Sequence, residues 1–207
     1  MYGITRLVLE EGYMTSLSLF FGLLMTVSSF SPTPATDVTP DMAIAPVAMT
    51  MPAATDVPAD FGYSAVRSSG LIMSKEELQF VALVNKERAA RGLNQLTIDP
   101  TLVKVARAHS KEMGDKGYFS HTSPTAGQTS PLDRYLAMAP RPSWALIGEN
   151  LFYCSIVTVE RGHNALMNSE GHRANILEPR YENIGVGEYR APNGRYYVTQ
   201  MFLVKTD

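Results

Sequence analysis

The sequence predicts an α+β fold, with helices packed on a sheet, from three observations. The first is two capped helices between Ser74 and Gly117. The second is a pair of β-rich runs near the carboxyl end, joined by a turn. The third is bulk composition: 207 residues, 45% apolar and 18% charged, suffice for one well-buried domain plus extensions.

The first helix opens at "SKEELQFVALVNKERAARG". Ser74 with Glu77 three residues on makes a capping box, Leu78, Val81, Leu83 and Val84 give an apolar face, and Gly92 closes the segment. A second helix begins in "DPTLVKVARAHSKEMGDKG". Asp99 can cap it, Pro100 suits its first turn, and Leu102, Val105, Ala106, His109 and Met113 share one stripe, which gives His109 a packing role. A loop through "YFSHTSP" follows, then a short helix over Pro131 to Met138, then "RPSWALIGENLFY" without an assigned state. Thr158 to Met167 is helix-compatible, although Gly162 weakens it. The final runs, "NIGVGEY" and "RYYVTQMFLV", flank "APNGR", whose Asn193-Gly194 signals a two-residue hairpin.

Ahead of this domain, Leu17 to Phe30 is about as long as the apolar core of an export signal and shorter than the ~20 residues of a spanning helix. Residues 1–35 are therefore read as a signal region, although Glu10 and Glu11 occupy a flank that is normally basic, an objection that shrinks if translation starts at Met14. Residues 36–70 carry repeated prolines and the near copies "ATDVTPD" and "ATDVPAD", and read as a disordered tether. Residues 71–207 form the domain.

Net charge is -2, so no basic field gathers nucleic acid or an anionic membrane surface. Cys154 is the single cysteine, which excludes an internal disulfide, and its place after "NLFY" suits a small buried hydrophobe. The expected product is exported and monomeric, binds no nucleic acid and has no stable membrane span.

From Ser74 to Val204 the chain resembles the CAP superfamily of cysteine-rich secretory, antigen 5 and pathogenesis-related proteins, also called SCP, in its short bacterial form. The matching blocks come in order: "LVNKERAARGLNQL", "AHSKEM", "YFSHTSP", "GEN", "MNSEGHRANIL", "NIGVG" and "VTQMF". The resemblance implies a three-layer α-β-α sandwich with a central antiparallel sheet and an open cleft. It also implies a cleft cluster of His121 from "FSH", Glu149 from "GEN" and His172 from "GHRANIL". Animal and plant members add a second glutamate; here Ser169 stands at that position with Glu170 beside it.

Two imidazoles and a carboxylate suit zinc or another divalent metal with positions left for water. The short H-E-x-x-H zinc-protease spacing is absent. If Ser169 caps a short helix, His172 sits in its first turn, where the helix dipole favours neutral imidazole. His163, like His109, is assigned to packing. Glu149, next to apolar residues, needs a partner. Asn150, Asn175 and Asn183 are expected to satisfy main-chain groups, Gln200 to face the cleft, and Ser123 to form a turn.

Three functions follow. The leading one is an exported binding module for an extracellular peptide, glycan or lipid, with His121, Glu149 and His172 holding a divalent metal. The second is a metal-dependent, peptidase-like hydrolase acting on peptide bonds, with Glu149 as general base toward metal-bound water and the same three residues being catalytic. The third is a scaffold in which the cluster only stabilises the cleft.

Overall fold

Local signals set the helix boundaries. In the computed structural model the described residues are the backbone of 5–9, and 69–155 and 158–206, all within one compact unit. Helix α1 (Lys75–Ala89) starts on the expected capping box, with Ser74 Oγ accepting from Glu77 N–H and the Glu77 carboxylate accepting from Ser74 N–H. Helix α2 (Pro100–Lys116) starts on Asp99 and ends on Gly117, whose φ of 69° is the left-handed conformation that glycine adopts without strain. Three shorter helices follow: α3 (Pro131–Leu136), α4 (Val159–Asn168) and α5 (Glu170–Ile176).

Strands β1 (Thr5–Leu9), β2 (Thr97–Ile98), β3 (Trp144–Cys154), β4 (Asn183–Arg190) and β5 (Tyr196–Thr206) form one sheet in the order β1-β3-β5-β4-β2. The sheet is mixed rather than purely antiparallel, because β2 lies parallel to β4. The unassigned "WALIGENLFYC" stretch forms β3. The β4–β5 connection is a three-residue loop, Pro192 to Gly194, and not the two-residue turn expected. Gly194 has a φ of 81° and donates its N–H to Ala191 O, while Ala191 N–H donates to Arg195 O.

Two apolar layers cover the sheet. Phe80, Val84, Leu166 and Ile176 pack with Val198 and Phe202 on one face; Leu102, Val105, Leu132 and Tyr135 pack with Ile147 and Leu203 on the other. This is the predicted α-β-α sandwich. The glycines of "NIGVG" let α2 lie directly on β4: a Cβ on Gly187 would stand 2.0 Å from Arg107 N, and one on Gly185 2.3 Å from the Leu102 carbonyl carbon. Thr5–Leu9, inside the stretch read as a signal region, is the edge strand β1, while the export-signal core at Leu17–Phe30 and the proline-rich stretch, apart from a turn at Ser69–Gly70, lie outside the described residues.

Candidate functional site

Glu149 lies on the face of β3 that α2 and α3 cover, and it is fully buried. Burial by itself would raise its carboxyl pKa. The His121 hydrogen bond and the charges of Arg134, His109 and His121 outweigh that effect and hold it below the usual carboxylate range. Both oxygens are committed, since His121 Nδ1 lies 2.7 Å from Oε1 and Arg134 Nη2 donates to Oε2 at 2.6 Å. An ionised carboxylate only accepts, so His121 Nδ1 carries a proton, and in the neutral ring Nε2 is the nitrogen that presents a lone pair.

Arg134, 2% exposed, also fixes the loop that carries His121. Its Nη1 donates to the carbonyls of His121, Gln128 and Thr129. Glu112 holds the same loop from α2, accepting from Ser123 Oγ, Thr125 Oγ1, Lys116 Nζ and Tyr118 O–H. Its carboxyl stays ionised because those bonds together lower its pKa by more than burial raises it. Ser123 has the turn-forming role expected, its Oγ also accepting from Thr125 N–H.

His172 is held from the other face. Ser169 stands at the amino-terminal cap of α5 but makes no side-chain cap bond; its hydroxyl instead meets His172 Nδ1 at 2.8 Å. Burial, then a charge on His121, lowers the His172 pKa, so neutral imidazole is favoured by burial and a neighbouring ring and not by the expected capped-helix dipole. Asn150 Nδ2 donates to His172 O and Asn175 Nδ2 to Glu149 O, the main-chain roles predicted. Fully buried Arg88 pins the chain after α5 through Ile176 O and Glu178 O at 2.9 and 2.8 Å. Gln200 is buried, and its Oε1 accepts from Asn150 Nδ2.

Beside His172 lies a cleft of about 170 Å³, lined by Phe119, Leu151, Tyr153, Leu166, Ser169 and His172 among others, so of the three predicted site residues only His172 lines it. Two supports of the site escaped the sequence reading. Arg134 carried no motif signal, and His109, assigned to packing, places Nε2 3.0 Å from Ser120 O and 3.9 Å from Glu149 Oε1. His163 is buried as expected, and Cys154 is half-buried beside a neighbouring hollow.

As a metal site, the donor chemistry fits two imidazoles. Glu149 stands behind His121 in the way carboxylates orient metal-binding histidines, and its own oxygens are occupied. Among the described residues no group of three or more His, Cys, Asp or Glu side chains is arranged to hold one ion. An ionised, doubly bonded carboxylate is also poorly matched to general-base work, which needs a pKa near the working pH.

The sequence model of the CAP family, described as the cysteine-rich secretory protein family, matches residues 81–202. The Bacillus subtilis (strain 168) protein YkwD, described as uncharacterized, is 47% identical over 115 residues, 56% of this chain and 43% of its own length. A second protein of that strain, the uncharacterized membrane protein YlbC, is 33% identical over 132 residues, 64% of this chain and 35% of its own. The chain thus spans less than half of either relative. Among solved structures, an extracellular SCP-domain protein of Bacillus anthracis aligns with a TM-score of 0.53 at 32% identity, covering 63% of this chain and 40% of that one. An outer surface protein of Borrelia burgdorferi gives a TM-score of 0.57 at 24% identity, covering 65% of this chain and 97% of that one, and shares the fold.

Proposed function

The chain belongs to the cysteine-rich secretory protein (CAP) family, and on that premise we propose that it is an extracellular binding domain whose cleft, lined by His172 with His121 close enough to act on that ring electrostatically, captures a side-chain-sized group. The carrying observation is the commitment of both Glu149 oxygens to Arg134 and His121, which makes Glu149 a positioning group and leaves His121 Nε2 for a ligand. Cleft size narrows the candidates. About 170 Å³ compares with the ~150 Å³ that holds a benzene ring and falls short of the roughly 300–1,000 Å³ of drug-sized sites. A peptide side chain or one sugar ring suits it better than a lipid. Export is supported by the Bacillus anthracis relative, whose description is extracellular.

A divalent metal, zinc by donor preference, would be held by His121 and His172 and would supply a Lewis-acid anchor for an anionic or carbonyl group of the ligand. Two protein donors predict weak, exchangeable binding. Calorimetric titration with zinc, comparing wild type with the His121→Ala, His172→Ala double variant, tests this: heat of binding should vanish in the variant. Equal heats would contradict a role for the pair.

A further inference from the structure

The cleft does not sit on either face of the sheet. Successive strand residues point to opposite faces, so a hollow that touches Leu151, Phe152 and Tyr153 together must reach the edge of the strand. On that edge β1 pairs antiparallel with Ala145–Glu149, and among the described residues, which begin at Thr5, none pairs with Asn150–Cys154 on the same side. The direction of the main-chain groups follows from the hairpin. Ala191 and Arg195 form a hydrogen-bonded pair, and alternation along the β4–β5 and β5–β3 registers turns the even-numbered residues of β3 toward β5. Leu151 and Tyr153 therefore present N–H and C=O outward. Glu149 has the same parity, and its outward carbonyl is the one that Asn175 Nδ2 reaches at 3.2 Å.

We propose that this outer edge of β3, at Leu151 and Tyr153, receives an extended peptide as an added strand, one apolar side chain of which fills the adjoining cleft. The proposal rests on the binding reading above and names its ligand class. Two observations select a peptide strand, whose main-chain groups can add to an open sheet edge. Walls rise on both sides, Phe119 from one face and Ser169 and His172 from the other, as a strand-width slot requires. The slot continues into a second hollow of about 420 Å³ that shares Phe152, Tyr153 and Ala165 with the first. Arg161 lines that hollow, and the Arg195 guanidinium lies 5.8 Å from the centre of the Tyr153 ring. The favoured peptide thus carries an acidic residue close to its apolar anchor.

The test uses an octapeptide of alternating Thr and Val with a central Phe and a following Asp, and two versions of it N-methylated on alternate sets of amides. Added-strand binding requires one N-methylated set to lose affinity and the other to keep it, and slows exchange of the Leu151 and Tyr153 amides. Tyr153→Pro removes one outward N–H without removing a β3–β5 bond. It should bind the parent peptide about tenfold more weakly than Tyr153→Ala, the size expected for one lost main-chain hydrogen bond. Equal affinity of both N-methylated sets, or of the two variants, overturns strand addition while leaving the cleft a binding site. Failure of the parent peptide to bind overturns strand addition too, and the zinc titration then decides the cleft reading separately.

Discussion

The two site histidines are held in opposite ways. His121 hangs from a loop and is fixed by a charged chain, Glu149 and then Arg134, that is buried on one face of the sheet. His172 sits on a short helix and is fixed by the neutral Ser169 hydroxyl and, through its carbonyl, by Asn150. A loop needs a strong anchor, whereas a helix already constrains its side chains. The energetic consequences of breaking each side should differ accordingly.

Arg134→Ala should be the most damaging change. It leaves Glu149 charged, buried and without its guanidinium partner, which costs about 3–5 kcal/mol, and it releases three loop carbonyls. Urea denaturation measures the loss, and a value under about 1 kcal/mol would mean that the charged anchor is dispensable. On the His172 side, Asn150→Ala removes the donor to His172 O and to Gln200 Oε1 and should cost about 1–3 kcal/mol. Ser169→Ala should cost only about 0.5–1.5 kcal/mol while weakening zinc binding. If Ser169→Ala proved as damaging as Arg134→Ala, the contrast between the anchors would be wrong.

Acid sharpens the comparison further. Burial lowers the folded pKa of His109, His163 and His172, while unfolded histidine titrates near about 6.5. Below that pH the unfolded chain binds more protons than the folded one. Stability from these groups is therefore complete above about pH 6.5 and is lost as pH falls through the folded values. Among the described residues, both ring nitrogens of His163 are buried without a hydrogen-bond partner, and a Glu87 carboxylate oxygen stands 4.0 Å away. His163→Leu should leave stability at pH 7 nearly unchanged and flatten the acid limb. Denaturation midpoints at pH 7 and pH 5 check this; an unaltered pH dependence would acquit His163 of any part in acid sensitivity.

Local chemistry made the helices legible. Ser74 with Glu77, Asp99 with Pro100, and Gly117 each act within a few residues, so their signals survive in the bare sequence. Strand β3 was not legible because it is covered on both faces. Seven consecutive residues from Ala145 to Leu151 are buried, including Glu149 and Asn150, so no apolar-polar alternation betrays it. The site was legible only where family blocks carried His121, Glu149 and His172. Arg134 and His109 join Glu149 from α3 and α2 through tertiary packing, and nothing in "PLDRYL" or in the apolar stripe of α2 announces a shared buried carboxylate.

Glu149 acts from behind His121, and the ring protonation of His121 reports on this most directly. Long-range proton–nitrogen NMR correlations at neutral pH should show Nδ1 protonated and Nε2 bare, with Nε2 alone responding when zinc is added. A proton on Nε2, or a zinc response confined to Nδ1, would place the carboxylate contact and the open lone pair the wrong way round.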